Sequence, residues 1–124
     1  MKLLLLDVYN NKLEMVEANG LEDYYKYLNC RCIDIVRRKI GDTEVEIIID
    51  DEGALIDNPK PSAVDVTGAI ALFGNLLIAG GEVAGDGELT EPTQAEVDDI
   101  MECVAEVTTS FYEEPYKILV EVDY

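Results

Sequence analysis

The side chains of this sequence best placed for chemistry are its three cysteines and its many carboxylates. Cys30 and Cys32 stand two residues apart, so in an extended segment both sulfurs lie on one side, and Asp34 follows on that side too. If Cys103 reached them from a distant helix, three thiolates and one carboxylate would form a tetrahedral zinc site without histidine. The alternative is that the thiols are small buried hydrophobes, since C-x-C lacks the specificity of paired C-x-x-C motifs and Cys103 borders an apolar stripe. Zinc is the one cofactor the sequence suggests.

Asp98, Glu102 and Glu106 fall at i, i+4 and i+8, which on a helix sets them about 6 Å apart along one side. With Asp99 beside them they make an acidic row spaced like backbone phosphates, a decoy for a protein that grips nucleic acid through a basic channel. The same row also arises on any solvated helix of an acidic protein. Asp86, Glu88 and Glu91 in a glycine-rich loop, and Glu113 and Glu114 before Pro115, are further candidates for contact with a basic partner. Asp50-Asp51-Glu52 could hold a divalent cation or simply form an acidic turn.

Enzymatic chemistry has little to work with. The chain has no histidine, and no serine or cysteine nucleophile stands near a base. Gly80-Gly81 and Gly85-x-Gly87 lack the lysine and the strand-to-helix setting of a phosphate loop. A binding protein is expected, not an enzyme.

The charge agrees with that expectation. There are 27 Asp and Glu against 9 Lys and Arg, a net of -18. Through Lys60 the count is 13 acids to 8 bases, and beyond it 14 acids to Lys117 alone, so the net splits into -5 and -13. Direct binding to nucleic acid is disfavoured, because affinity there comes from Lys and Arg neutralising phosphates. A basic protein partner is favoured instead. The start, Met1-Lys2-Leu3-Leu4-Leu5-Leu6-Asp7, is too short for the apolar region of a signal peptide, and no apolar run reaches bilayer length. A cytoplasmic protein without a disulfide framework follows as the expectation, three cysteines being an odd number.

The elements that must position these groups read as an α+β domain, a mostly antiparallel sheet with two helices on one face. At 124 residues one domain spans 1–124. Lys2 to Tyr9 and Leu13 to Val16 make a hairpin across Asn10-Asn11. Leu21, Tyr24, Tyr25 and Leu28 share one side of a short helix, a stripe expected to pack in the core. Cys30 to Lys39 and Glu44 to Asp50 pair across Gly41-Asp42, and Asn58-Pro59-Lys60-Pro61-Ser62 forces an irregular loop. Ala69 to Val83 predicts one buried strand with a bend at Gly80-Gly81. Thr93 and Glu96 have capping-box spacing, opening a helix whose apolar stripe runs Val97, Ile100, Met101, Val104 and Val107. Tyr116 to Val122 alternates like an edge strand.

The stretch from Cys30 to Gly41, with Ile49-Asp50-Asp51-Glu52-Gly53 and Gly74-Asn75-Leu76-Leu77-Ile78, resembles a small domain family of unknown function encoded by bacteriophages and conjugative elements of Gram-positive gut bacteria. The resemblance covers about residues 1–107 and leaves 112–124 as a C-terminal strand extension. It brings no catalytic motif. It implies a mobile-element protein that counters host defence, an acidic inhibitor of a nuclease, with a type II CRISPR effector as the first candidate. A structural or regulatory adaptor of the element, with no nuclease target, is the alternative. Steep salt dependence and competition with nucleic acid would mark the inhibitor.

Overall fold

A computed structural model of the chain describes residues 1–52, 60–82, 84–109 and 112–123, with the side chains of 109, 112 and 113 outside that description. The fold is α+β and mostly antiparallel, as the sequence leads one to expect. Its strands form two sheets. The larger has six strands in the order β10-β3-β4-β7-β1-β2: β1 (Lys2–Asp7), β2 (Lys12–Glu17), β3 (Ile33–Ile40), β4 (Thr43–Asp50), β7 (Leu76–Ala79) and β10 (Val122–Asp123). The smaller has four in the order β6-β5-β9-β8: β5 (Pro61–Val64), β6 (Ile70–Phe73), β8 (Val104–Thr109) and β9 (Tyr112–Leu119).

The leucine run at the start is explained by its place. β1 lies between β2 and β7, and both faces of the sheet are covered there, so Leu3, Leu4, Leu5 and Leu6 are all buried. Strands buried on both sides read as continuous apolar runs. Leu4 and Leu6 join Val45, Ile47, Leu76 and Ile78 in one core layer, which is closed by Ala63, Leu72, Tyr116, Ile118 and Leu119 of the smaller sheet. Leu3 and Leu5 join Ile48, Leu77 and Ala79 in the opposite layer. Helix α1 (Leu21–Leu28) covers that second layer with Tyr24 and Leu28, while Ile100 of α2 (Gln94–Glu102) enters the first. The two helices therefore sit on opposite faces of the six-stranded sheet, not on one face.

The β3–β4 hairpin forms where expected, with Ile40 opposite Thr43 across Gly41-Asp42. Gly41 alone of the two central residues has positive φ, +61°, the pattern of a type II′ turn, whose backbone suits the strand twist. Three other expectations change. Ala69 to Val83 is not one strand: β6 and β7 lie in different sheets, and Val83 is outside the described residues. The break falls at Gly74-Asn75, where Gly74 has φ +75° and the buried Asn75 side chain accepts from the Val8 amide (2.9 Å) and donates to the Tyr27 carbonyl (3.0 Å). Two hydrogen bonds thus hold a polar side chain where a straight strand would need an apolar one.

Helix α2 also ends earlier than its stripe suggested. Val104 and Val107 continue the helical spacing, but they belong to β8, which pairs antiparallel with β9 (Val104↔Leu119, Val107↔Tyr116). Finally, the C-terminal strand is not an edge: β9 runs between β5 and β8, and only the short β10 lies at an edge, beside β3. Pro115 is tolerated within β9 beside a register irregularity between Val107 and Thr109. The expected proline loop falls partly outside the described residues, which exclude Asn58 and Pro59, and its last two residues, Pro61 and Ser62, are not loop but the start of β5. Lys60 just before them is buried, its ammonium 4.2 Å from the centre of the Tyr116 ring and 5.9 Å from that of Tyr9. Burial pushes the Lys60 amine down from its ordinary value, and the Tyr116 hydroxyl donates to the Pro61 carbonyl at 2.9 Å. Among the described residues no helix is long and apolar enough to cross a membrane.

Candidate functional site

Helix α2 is fastened at both ends. At its start the Thr93 hydroxyl accepts from the Glu96 amide (3.2 Å) and the Glu96 carboxylate accepts from the Thr93 amide (2.8 Å), the capping box expected from the spacing. The second oxygen of Glu96 accepts from the Gly81 amide at 2.8 Å, tying the helix to the chain leaving β7. At its far end Asp99 accepts from the Thr43 hydroxyl (2.5 Å), and the Cys103 carbonyl accepts from the Val120 amide (2.7 Å). The Cys103 thiol donates to Glu121 at 3.6 Å.

Asp99, Glu102 and Glu121 are thereby gathered around the C-terminus of α2. Their fields converge on Cys103, whose thiol is pushed up by burial first, then by Glu121, Glu102 and Asp99. The last turn of α2 has no basic residue, so these carboxylates stand at the negative end of the helix dipole without the usual compensation. Glu121 adds local strain, with φ at +58°, a region costing about 1 kcal/mol or more for a non-glycine residue. Sequence spacing does not point to Glu121, because it comes from the connection between β9 and β10 and no periodicity links it to α2.

The expected acidic row is rearranged. Asp98, Asp99 and Glu102 are exposed on α2, with Gln94 donating to Asp98 at 2.8 Å. Glu106 leaves the row, since it lies on β8 directly opposite Lys117 of β9, an intramolecular countercharge. Asp86, Glu88 and Glu91 belong to another surface: Leu89 packs into the α1-side core layer, the Asp86 carboxylate accepts from the Glu88 amide (3.1 Å), and Glu91 accepts from the Lys2 amide (2.5 Å). Glu114 is exposed on β9, and the side chain of Glu113 lies outside the described residues.

The proposed zinc ligands are not brought together. Cys103 is buried in the layer shared by the two sheets, Cys30 packs on the α1 side, and the larger sheet stands between them. Cys32 is exposed ahead of β3, and Asp34 accepts from the Ile35 amide at 2.9 Å. Among the described residues no group of three or more Cys, Asp or Glu is placed to hold a metal, Asp50-Asp51-Glu52 included. The physical reason is that C-x-C places only two thiols, while the third arrives on an element whose apolar face points into a different layer.

A raised thiol value favours the protonated form. The stability this adds is complete below the ordinary thiol value and lost as pH rises through the raised one, so Cys103 supports the fold at neutral pH and weakens it only under alkaline conditions. Thiol reactivity follows the same order. Near neutral pH, iodoacetamide is expected to label exposed Cys32 first and Cys103 only in denaturant, as read by peptide mass spectrometry. Equal labelling of the two in folded protein would contradict this arrangement.

Nothing among curated proteins or solved structures matches the chain. The family described as "Domain of unknown function (DUF3846)" matches residues 1–105, so the match ends inside β8, and β9 and β10, which complete both sheets, lie outside it. On that match over most of its length, the chain belongs to the DUF3846 family.

Proposed function

We propose that the protein is an acidic binding module that occupies a basic, nucleic-acid-handling surface of another protein and blocks loading or cleavage there. A type II CRISPR effector is the target to test first. The observation that carries this reading is the cluster of Asp99, Glu102 and Glu121 at the C-terminus of α2, with Asp98 exposed one turn before Glu102, set without a basic residue in the last turn. Among the described residues three ion pairs form, Met1 amine–Glu17, Arg37–Glu44 and Arg37–Glu46, none of which involves this cluster. Carboxylates left this way lower the stability of the free protein through repulsion and gain most from a cationic partner.

The test is a cleavage assay with a panel of type II effectors, run with the parent and with a variant carrying Asp98→Asn, Asp99→Asn, Glu102→Gln and Glu121→Gln. The variant is expected to melt at or slightly above the parent, to associate about tenfold more slowly, and to show a flatter salt dependence. A folded variant that inhibits as well as the parent would remove this cluster from the binding surface. Unchanged cleavage by every effector at large molar excess of the parent would remove the nuclease target.

A further inference from the structure

The edge of the larger sheet formed by β3 and the short β10 also carries basic residues. Four of the nine cationic side chains, Arg31, Arg37, Arg38 and Lys39, fall within residues 31–39, on and just before β3. Among the described residues β3 pairs on its outer side with β10 alone, at Lys39 and Ile40, and Ile33 to Arg37 have no neighbouring strand there. The register decides which backbone groups face outward. Because Ile40 and Thr43 close a two-residue turn as a hydrogen-bonded pair, the alternation leaves the amides and carbonyls of Ile33, Ile35 and Arg37 pointing away from β4. Two side chains hold these groups: Asp34 accepts from the Ile35 amide (2.9 Å), and the Arg38 guanidinium donates to the Arg37 carbonyl (2.8 Å). Ile35 itself is 45 % exposed.

On the inner side, β4 shows what complements this strand. Glu46 stands opposite Arg37, with an ion pair at 2.9 Å, and Glu44 stands opposite Lys39. On the outer side no strand repeats that pattern among the described residues. β2, at the other edge of the sheet, carries Glu14 and Glu17 and offers no comparable basic row.

We propose that the outer edge of β3, from Ile33 to Arg37, is a strand-addition site for an extended segment of a partner polypeptide with carboxylates at alternate positions. The segment bonds to the outward groups of Ile33, Ile35 and Arg37, displaces the Asp34 and Arg38 caps, covers Ile35, and sets its acids against Arg37, as β4 does from within. The side-chain caps explain how the free protein keeps this edge from pairing indiscriminately. The site lies on the same sheet edge as Glu121, beyond the two pairs that β10 makes with β3, and does not depend on the function proposed above.

The probe is a labelled peptide of alternating glutamate and valine, about eight residues long, followed by fluorescence anisotropy and amide NMR with the full chain. Saturable binding is expected, with the largest shifts at Ile33, Ile35 and Arg37, and with a lysine–valine control at least about tenfold weaker. Asp34→Ala, which frees the Ile35 amide, is expected to tighten binding a few-fold. Ile35→Pro, which removes an outward donor without touching the β4 ladder, is expected to abolish it. Should that variant not fold, Arg37→Gln serves instead and is expected to weaken the glutamate peptide about five-fold. No saturable binding, shifts centred elsewhere, equal binding of the lysine control, or self-association through the same amides would each overturn the proposal.

Discussion

A chain ending at residue 107, near the limit of the family match, is expected not to fold. The removed segment looks dispensable in sequence, yet it supplies β9, the strand between β5 and β8, and β10, which pairs with β3. Tyr116, Ile118, Leu119 and Val122 are all buried within it. Large apolar side chains contribute about 1.5–3 kcal/mol each when buried, so these four account for about 6–12 kcal/mol. That equals most of the roughly 5–15 kcal/mol that holds a domain of this size together. Removal also strips β5 and β8 of their shared neighbour and takes the Tyr116 ring from the buried Lys60 ammonium. Far-UV circular dichroism with thermal melting measures the outcome. A cooperative melt from the truncated chain would show that residues 1–107 suffice.

Gly81→Ala is expected to lower stability by about 3 kcal/mol, near the upper end for overpacking. A Cβ at this position would lie 2.1 Å from the Glu44 carbonyl oxygen and 2.9 Å from Glu96. The Glu96 side chain can shift, at the expense of its bond to the Gly81 amide, but the Glu44 carbonyl belongs to β4 and moves only with that strand. The Gly81 carbonyl meanwhile accepts from Arg37 at 2.9 Å, so the residue is held on both sides. The melting temperature should fall by about 10 °C for a domain of this length. Gly85→Ala is the control: its Cβ meets nothing within 4 Å, and its effect should stay within about 0.5 kcal/mol. A Gly81 variant melting with the parent would mean that β4 and the chain after β7 approach less closely than this geometry requires.

The sequence by itself determined the features whose signals are local. Gly41-Asp42 between two alternating runs specifies the β3–β4 hairpin, because a two-residue turn sets the register of every pair behind it. Leu21, Tyr24 and Leu28 define α1, although Leu21 is 55 % exposed and only the latter two are buried. Thr93 and Glu96 mark the start of α2, since both bonds of the capping box close within one turn. The excess of carboxylates was equally plain, being a matter of counting.

Tertiary structure decided the features that depend on which distant segments meet. Val104 and Val107 fit a helix as well as a strand, and only pairing with Leu119 and Tyr116 makes them β8. The run from Ala69 is almost all small or apolar, and the hydrogen bonds of Asn75 to Val8 and Tyr27 mark where it divides between two sheets. The C-terminal strand alternates like an edge strand, yet its contact with Ala63 places it inside. The same distinction scattered the cysteines and rebuilt the acidic site, exchanging Glu106 for Glu121. A side chain's periodicity is set by the dihedral angles of its own few residues, whereas the layer it enters is set by the sheet order, a choice among pairings tens of residues apart that share the same local pattern.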